Sequence, residues 1–326
     1  MSGNEIISFL GKDWKELQSV IRRALSTDID LLQKVNDKLY SRSGKQLRPM
    51  VSLLMARTCS ADGAANADSC RFAAAAELLH NATLLHDDVA DASAIRRGMP
   101  TLSAEMGSTS AVLVGDYWLS SAVQTVLSAT GNMEVISLFA KTLSDLAKGE
   151  MIQLQNSLTG KTSQEDYFKV IYCKTASLFE TAAVAGAISV SASRGQVEAA
   201  RQYASCLGTA FQIKDDILDY EGGEKLGKPM GVDLAEQKIT LPLLGAMQNA
   251  GKEESRIRKK VTEIHSHPEY AREITRFVLE NGGVEYASRK LDEYVERAVD
   301  ALEIFDDSPQ KDYLAQIAQY NAYRTI

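Results

Sequence analysis

The feature that most constrains this 326-residue chain is a helical pattern that repeats from one end to the other. Long segments rich in Ala, Leu, Glu, Lys and Gln, which favour helix, alternate with short stretches of Gly, Ser, Asn or Pro, which end helices. The sequence contains no alternating apolar and polar run of useful length for a β-strand, and no glycine-rich βαβ fingerprint. It therefore predicts an all-α protein.

The predicted helices follow one another without a low-complexity linker. They lie near 5–25, 28–41, 47–60, 66–91, 107–129, 133–158, 164–192, 196–221, 233–250, 254–265, 268–281, 284–305 and 310–323. Most of the prolines fall at or near helix ends, but Pro242 lies inside a predicted helix and predicts a break or kink there. We therefore expect a single domain over 1–326, a bundle of about 12–13 helices with 254–323 as its C-terminal helices.

Composition excludes several classes of protein. The formal net charge of −7 argues against non-specific nucleic-acid binding. The N-terminal segment lacks the basic and apolar regions of a signal peptide, and the sequence has no apolar run of about 18 residues that could span a membrane. Four cysteines without metal-ligand spacing predict buried free thiols in a reducing compartment: Cys59, Cys70, Cys173 and Cys206. These observations favour a cytoplasmic protein.

The stretch 182–192 is rich in small residues and is flanked by Glu180 and Arg194. Small side chains allow two helix backbones to approach closely. We therefore expect this helix to pack tightly against another helix or against a second subunit.

Two predicted helices carry the same motif, Asp-Asp-x-x-Asp. HNATLLHDDVAD contains Asp87, Asp88 and Asp91, and GTAFQIKDDILD contains Asp215, Asp216 and Asp219. On a helix the first and last aspartates of each motif share a face, where like charges destabilise the helix. Each motif also follows an apolar run, so partial burial would raise that cost. A divalent cation would relieve it.

A solvated acidic helix end is the alternative interpretation of such a motif. The pair Asp306–Asp307, with Gln310 where a third aspartate would stand, fits that alternative, whereas two complete motifs in apolar surroundings argue against it. Oxygen ligands without His or Cys favour Mg²⁺ over zinc, and Mg²⁺ commonly shares its ligands with substrate phosphates. The two clusters therefore suggest a diphosphate substrate bound through metal ions.

Cationic residues lie near both clusters in the sequence. Lys45 and Arg48 stand at the start of a predicted helix, where anions are favoured, and Arg96-Arg97 follows the first cluster directly. His80 lies two helical turns before Asp87 on the same face, although a satisfied core histidine is the alternative. Three further cationic positions accompany the second half of the chain: Lys174, beside Thr175 in an apolar helix, and then Lys228 and Lys238 after the second cluster. Either of the last two lysines alone would be an ordinary surface charge.

Together these segments resemble the trans-polyprenyl diphosphate synthase family from about residue 40 to 245. The resemblance rests on GKQLRP, ELLHNATLLHDDVADASAIRRGMPT, LVGDYW, GEMIQL, YCKTASLFETA and FQIKDDILDYEGGEKLGKPMGVDLAEQKITLPLL, in that order. HNATLLHDDV and LVGD are most similar to the long-chain, octaprenyl-type members.

The resemblance implies a fold and a reaction. The fold would be an isoprenoid-synthase bundle around a central cavity, working as a homodimer with three Mg²⁺ ions. The enzyme would condense isopentenyl diphosphate with an allylic diphosphate, farnesyl or geranyl diphosphate. The product would be an all-trans long-chain polyprenyl diphosphate for quinone side chains, and its release would involve a transient membrane contact.

The resemblance also assigns residue roles. Asp87, Asp91 and Asp215 would be the principal metal ligands, supported by Asp88, Asp216 and Asp219. The predicted catalytic set consists of the three principal ligands together with Lys174 and Arg96. Arg96, Lys174, Thr175, Gln212, Lys228 and Lys238 would bind the allylic diphosphate, with Gln153 as a further polar contact. Lys45, Arg48, His80 and Arg97 would bind isopentenyl diphosphate.

Product length should depend on what blocks the space below the first cluster. Ala82 and Thr83 lie roughly 6–8 Å before Asp87 along the helix, both are small, and we expect them to border an open cavity rather than a packed core. The cluster also lacks the two-residue insertion of bacterial farnesyl-type enzymes. Growth beyond farnesyl length is therefore expected, with the floor near Trp118, Leu119 or Val123.

Four alternatives stay open at this stage. The chain could be a shorter-chain synthase of the geranylgeranyl type or the catalytic subunit of a heteromeric medium-chain synthase. A terpene cyclase shares the aspartate chemistry but does not need a second set of diphosphate ligands. A regulatory subunit would be expected to lack aspartates that this chain retains.

Overall fold

The computed structural model describes residues 3–42, 44–129, 132–221 and 231–323, with side chains to 320. Within these ranges the chain is helical apart from one short hairpin and the connecting turns. The predicted all-α class is confirmed.

The first half of the chain contains eight of the described helices and the hairpin. They are α1 (Gly3–Leu10), α2 (Lys12–Ala24), α3 (Asp30–Ser41), α4 (Leu47–Cys59), α5 (Ala67–Ala90), β1 (Ile95–Arg96), β2 (Met99–Pro100), α6 (Leu102–Met106), α7 (Ser108–Leu127) and α8 (Met133–Thr159).

The second half continues with α9 (Gln164–Ile171), a π-helical turn (Tyr172–Ala176), α10 (Ser177–Ser189), α11 (Arg194–Glu221), α12 (Val232–Ala235), α13 (Leu241–Ala250), α14 (Glu254–Thr262), α15 (Tyr270–Glu280), α16 (Gly283–Asp300) and α17 (Pro309–Tyr323). The described residues therefore contain more helices than the sequence predicted.

Most of the additional helices arise where predicted helices are interrupted, and α6 lies between two of the predicted helices. Gly11, with φ 52°, separates α1 from α2. The break expected at Pro242 occurs just before it, because α13 starts at Leu241 and proline fits the first turn of a helix. The hairpin, which the sequence did not predict, closes through Arg97 and Gly98, both with positive φ as in a type I′ turn.

The chain folds into two compact units. Unit 1 comprises the described parts of 1–140, 181–200 and 305–314, and unit 2 comprises those of 141–180, 201–304 and 315–326. The first carboxylate cluster belongs to unit 1 and the second to unit 2.

Unit 1 is built around α5. This helix is capped at Asn66, whose side chain accepts a hydrogen bond from the Ser69 backbone N–H at 2.9 Å. Its middle is buried on every side, which explains why its sequence is apolar all round rather than amphipathic. α5 packs against α2, α4 and α7. Because the first carboxylate cluster is at the end of this buried helix, its position is fixed by the core.

Glycines allow two close helix contacts in unit 1. A Cβ on Gly115 of α7 would lie 2.4 Å from the His86 ring of α5, and one on Gly186 of α10 would lie 2.3 Å from the Ser52 carbonyl oxygen of α4. The second contact confirms the prediction that the small-residue segment packs closely against another helix.

Unit 2 has a core of its own. It joins residues of α9, α11 and the helices from α12 to α16, including Ile171, Ile213, Ile217, Leu234, Leu241, Val261, Ile274, Val278 and Leu291. This core holds the C-terminal half of α11, which bears the second carboxylate cluster.

The four cysteines are free and buried, as predicted. Burial raises the pKa of Cys59 and of Cys70 to about 12, so these thiols are inert near neutral pH. Among the described helices, none is long and apolar enough to cross a membrane.

Candidate active site

Both carboxylate clusters lie at the C-terminal ends of helices. Asp87 and Asp88 are in the last turn of α5, and Asp91 follows that turn, its N–H donating to the Asp87 carbonyl at 2.8 Å. Asp215, Asp216 and Asp219 occupy the last two turns of α11. A helix C-terminus carries partial negative charge, so clustered carboxylates there are doubly unfavourable unless cations offset them.

In unit 1 the hairpin brings a guanidinium to the first cluster. Arg96 Nε donates to Asp88 Oδ1 at 2.6 Å, and the Asp88 side chain is only 6% exposed. Thr101 fixes the base of the hairpin, because its hydroxyl donates to the Ser93 carbonyl and accepts from the Ala104 N–H, capping α6. Asp88 therefore holds Arg96, while Asp87 and Asp91 are the less buried carboxylates of the cluster.

Two of the predicted isopentenyl residues, Arg48 and Arg97, act on a buried carboxylate of α5. α4 begins at Leu47, so Lys45 and Arg48 flank its N-terminus as predicted. Glu77, one turn before His80 on α5, is 4% exposed, and its Oε1 accepts from Asn81 Nδ2 at 3.1 Å. Burial raises the pKa of Glu77, while the charges of Arg48 and a second arginine, Arg97, act to lower it.

His80 is neutral near pH 7. Burial lowers its pKa well below the ordinary value, and the positive charges of Arg48, Arg97 and Arg96 lower it further. A neutral imidazole among arginines can donate one hydrogen bond to an anion without adding a charge of its own.

A cavity of about 290 Å³ opens beside Asp88 in unit 1. Its wall contains Asp88, Arg96 and Arg97 together with apolar residues of α3, α5, α6 and α7, among them Leu39, Leu84, Leu85, Leu102 and Trp118. Three predicted site residues thus share one cavity with Trp118, which the sequence had placed at the floor below the cluster.

In unit 2 the π-helical turn carries Lys174 and Thr175. Inserting a π turn changes the direction of the side chains within a helix, and such turns are frequent at functional sites. Lys174 Nζ donates to Glu150 Oε2 at 2.9 Å and to Gln153 Oε1 at 3.0 Å, both on α8. Gly149 permits this contact, because a Cβ there would lie 2.7 Å from Lys174 Cγ.

A hydrogen-bonded chain fixes Asp216, the most buried aspartate of the second cluster. Its two carboxylate oxygens accept from Tyr167 Oη at 2.6 Å and from Gln212 Nε2 at 2.9 Å, and Gln212 Oε1 accepts from Thr175 Oγ1 at 2.8 Å. Gln212 therefore connects the π-helical turn to the carboxylate cluster.

Asp233 of α12 completes a crowded group of carboxylates. Asp219 accepts the backbone N–H of Val232 at 3.1 Å and of Asp233 at 3.3 Å. Burial first, and then the charges of Asp219 and other acidic neighbours, raise the pKa of Asp233 to about 7. Burial and the charge of Asp233 likewise raise the pKa of Asp216 well above its ordinary range. Asp216, Asp219 and Asp233 together therefore carry more negative charge than their neighbours offset.

A cavity of about 130 Å³ in unit 2 brings these residues together. Its wall includes Gln153, Tyr167, Lys174, Gln212, Asp216, Asp233 and Lys238. Lys238 also forms an ion pair with Glu236. The cavity therefore combines a buried and a half-buried carboxylate with two ammonium groups, an arrangement suited to an anion bound through a cation.

The donor set fits a divalent, oxygen-preferring metal ion. The aspartates of both clusters stand at negative helix ends, and the pKa values of Asp216, Asp219 and Asp233 are raised, both of which a bound cation would relieve. In the described part of the chain, no three acidic, His or Cys side chains are already grouped as a metal site. An ion here would need water or phosphate oxygens as further ligands, which is the usual situation of Mg²⁺.

The remaining predicted residues are Lys228 and the residues expected to set product length. Lys228 lies outside the described residues. Ala82 is fully buried, which differs from the expectation that it borders open space, and Thr83 is partly buried with its hydroxyl bonded to the His80 carbonyl. Leu119 is partly buried and Val123 is 41% exposed.

Sequence reasoning missed several residues of this arrangement. Asp233 and Tyr167 are single residues far from the Asp-Asp-x-x-Asp motifs, so only the folded chain shows that they contact them. Glu77 had a detectable signal, since it precedes His80 by one helical turn within an apolar segment. Glu150 lies within the segment GEMIQL, but the sequence alone identifies no partner for its side chain.

Known proteins are similar to this chain over its full length. The polyprenyl synthetase family model matches residues 29–278. The octaprenyl diphosphate synthase of Haemophilus influenzae is 37% identical, covering 99% of this chain and 98% of its own. A decaprenyl diphosphate synthase structure from Rhodobacter capsulatus matches with a TM-score of 0.92 and 33% identity over 100% of both chains.

A polyprenyl synthase from Caulobacter crescentus, solved with calcium and isoprenyl diphosphate, matches with a TM-score of 0.91 and 32% identity over 100% of this chain and 98% of its own. The family match covers well over half of the chain, and the relatives are similar from end to end. This chain therefore belongs to the polyprenyl synthetase family.

Proposed function

We propose that this chain is a Mg²⁺-dependent trans-prenyltransferase that adds isopentenyl diphosphate to an allylic diphosphate and makes a long-chain, octaprenyl-like polyprenyl diphosphate. The observation that carries the proposal is the pair of carboxylate-rich helix ends, each accompanied by its own cationic groups. The names of the similar proteins, octaprenyl and decaprenyl diphosphate synthase, support the same reaction class and product range.

The first step needs the allylic diphosphate to leave. Asp87, Asp91 and Asp215 would be the principal ligands of three Mg²⁺ ions, which when bound neutralise the departing diphosphate. Asp88, which holds Arg96, and Asp216, which is held by Tyr167 and Gln212, would act in support together with Asp219.

Residues of the π-helical turn would orient the allylic diphosphate. Lys174 is ordered by Glu150 and Gln153, so the remaining N–H of its ammonium group is already fixed before substrate binds. The single O–H of Thr175 donates to Gln212 Oε1 and would have to turn away from it to reach the diphosphate. Prefixed donors lose little entropy on binding and stabilise developing charge more strongly. Arg96, Lys228 and Lys238 would complete this set.

Isopentenyl diphosphate would bind to Lys45, Arg48, Arg97 and the neutral imidazole of His80. The allylic C–O bond breaks, its electron pair leaves with diphosphate, and the double bond of isopentenyl diphosphate forms the new C–C bond to the allylic carbon. Loss of one proton then restores a double bond, and the released diphosphate is the base. No nucleophile on the protein is required.

Product length would be set by side chains along and below α5. Thr83 is partly buried, whereas Ala82 is fully buried, so a larger side chain at Ala82 would meet the overpacking cost of about 1–3 kcal/mol. Thr83→Phe is therefore the better substitution for shortening the product. Trp118, with Leu119 and Val123 further along α7, is the proposed floor.

A homodimer is proposed as the working form. Large apolar side chains are exposed along α7, including Leu113 at 64% and Leu127 at 56%, as expected of a surface that a second subunit covers. A partner subunit of a different kind would cover such a surface equally well, so the purified chain must be tested alone.

Sizing the products tests the proposal. The purified chain should be incubated with Mg²⁺, farnesyl diphosphate and labelled isopentenyl diphosphate, and the dephosphorylated products separated by chromatography. We expect a main product near octaprenyl length, and shorter products from Thr83→Phe. A wild-type product that stops at geranylgeranyl length would reject the long-chain assignment, and activity that requires an added subunit would reject the homodimer.

A further inference from the structure

Arg97 occupies the tip of the hairpin in a backbone conformation that side-chain-bearing residues rarely adopt. Its φ is 53°, and that of the following Gly98 is 73°. A residue other than glycine in this region costs on the order of 1 kcal/mol. The turn places the Arg97 backbone, but the long side chain still needs contacts to fix its guanidinium.

Gly44 lies directly beside the guanidinium. A Cβ built on Gly44 would lie 2.6 Å from Arg97 Nη2 and 2.7 Å from both Cζ and Nη1. Three nearly equal distances mean that the flat face of the guanidinium lies over the glycine. Nη1 also donates to the Arg42 carbonyl at 3.4 Å.

The backbone at Gly44 does not itself require glycine. Its φ lies outside the left-handed region, in contrast to Gly98, so alanine would be conformationally acceptable. What glycine provides at this position is space for the guanidinium.

The Arg97 guanidinium belongs to the basic cluster of unit 1, which is formed by the GKQLRP loop, His80 and the hairpin. The Arg97 charge acts on both Glu77 and His80, as does that of Arg48. Glu77 is a buried counter-charge for these cations. The Gly44 contact therefore decides where one cation of the cluster stands relative to the others.

We propose that Gly44 is a positioning residue for isopentenyl diphosphate: the missing Cβ lets the Arg97 guanidinium lie flat against the GKQLRP loop, oriented to bind the homoallylic diphosphate. The inference rests on the proposed function, since it takes Arg97 as a ligand of that substrate.

Alanine at position 44 would displace the guanidinium and leave the fold intact. The atoms that a new methyl group would meet belong to the far end of a flexible side chain, which can move away without shifting backbone. Because misplacing a binding group by about 1 Å can cost about 100-fold, we expect Gly44→Ala to raise the KM for isopentenyl diphosphate by about 10- to 100-fold. The KM for farnesyl diphosphate and the Tm should stay at wild-type values.

A double-mutant cycle separates this role from a general structural one. If Gly44 acts through Arg97, Gly44→Ala combined with Arg97→Ala should be no worse than Arg97→Ala alone. Gly3→Ala is the matched control, because Gly3 also lacks a left-handed φ and its Cβ would meet only Met50 at an ordinary 3.7 Å. A double variant that adds the two single losses, or a Gly44→Ala variant with an unchanged KM for isopentenyl diphosphate, would overturn the proposal.

A measurement without substrate distinguishes failure of this inference from failure of the proposed function. Phenylglyoxal modifies guanidinium groups, and the rate at Arg97 can be followed by peptide mass spectrometry. We expect Gly44→Ala to speed modification of Arg97 because one face loses its cover, while Gly3→Ala leaves the rate unchanged. An unchanged rate in Gly44→Ala contradicts the inference even if the enzyme proves to use other substrates, whereas a wild-type chain that incorporates no isopentenyl diphosphate contradicts only the proposed function.

Discussion

The aspartates at the ends of α5 and α11 stand where folding alone would not place them. Each cluster meets the negative end of its helix dipole, and Asp216 and Asp233 are also crowded by other carboxylates. Neighbouring groups offset part of the cost, namely the Arg96 guanidinium in unit 1 and the Tyr167 hydroxyl in unit 2. The remaining cost is stored at positions where a metal–diphosphate complex would remove it.

Removing one principal carboxylate should therefore affect turnover far more than folding. We expect Asp87→Ala and Asp215→Ala each to reduce kcat by about 100- to 1,000-fold, as when a prefixed charge stabiliser is deleted. Their Tm values should equal or exceed that of the wild type, because repulsion between neighbouring carboxylates falls. Asp306→Ala, which changes an exposed aspartate outside both motifs, is the control. Near-normal kcat in either site variant at saturating Mg²⁺ would refute the metal assignment.

Asp233 should behave as a member of the same site although it stands outside both motifs. Asp233→Asn keeps the shape of the side chain and removes its charge from the group around Asp216 and Asp219. We expect activity to fall by about 10- to 100-fold, the usual loss when a group that supports metal ligands is changed. The Mg²⁺ concentration for half-maximal activity should rise. Unchanged activity with an unchanged Mg²⁺ requirement would show that Asp233 is only a buried structural carboxylate.

At the scale of the helices, one arginine joins the ends of two elements in unit 1. Arg57, in the last turn of α4, donates to the carbonyls of Phe9 and Leu10 at 2.9 and 2.8 Å. These carbonyls end α1 and have no partner within that helix. Arg57 Nε also donates to Asp13 Oδ2 at 2.8 Å, and both side chains are at most 12% exposed. This one guanidinium therefore connects α1, α2 and α4.

We expect Arg57→Ala to lower the free energy of unfolding by about 3–5 kcal/mol, because it leaves the buried Asp13 carboxylate and two carbonyls without their donor. Urea denaturation followed by circular dichroism measures the change. Arg23→Ala is the matched control: it breaks the exposed ion pair with Glu16, which should contribute no more than about 1 kcal/mol. Equal destabilisation by the two substitutions would show that Arg57 adds nothing through burial.

The positions of most helices could be predicted because they follow from the helix-forming and helix-ending residues along the chain. The long helices, the start of α4 before Arg48 and the close packing at Gly186 all follow from composition and punctuation. Interruptions that depend on distant contacts were not predictable. The π-helical turn at Tyr172–Ala176 lies in a segment whose sequence continues as an ordinary helix, and its Lys174 contacts Gly149 and Glu150 of α8 in the folded chain.

The same distinction holds for the site. The two motifs identified their aspartates because both members of each i, i+4 pair are in one segment of sequence. Asp233 and Tyr167 act through partners on other elements, which spacing along the chain does not reveal. Glu77 differs, because its spacing to His80 was visible in the sequence.

At the scale of the whole molecule, each compact unit carries one carboxylate-rich helix end with its own cationic partners. Unit 1 has Arg96 and Arg97 beside α5, and unit 2 has Lys174 and Lys238 beside α11. A terpene cyclase or a diphosphate hydrolase would need metal ligands but no ligands for a second diphosphate. The basic cluster of unit 1, built from the GKQLRP loop, His80 and the hairpin, is the feature that favours a two-substrate reaction.

The most direct test of that claim is to measure diphosphate release from farnesyl diphosphate with Mg²⁺, in the presence and absence of labelled isopentenyl diphosphate. We expect diphosphate to appear only when isopentenyl diphosphate is present, with one diphosphate released for each isopentenyl unit incorporated, and neither signal when the metal is chelated. Release at a similar rate without isopentenyl diphosphate would contradict the condensation and indicate cyclisation or hydrolysis instead.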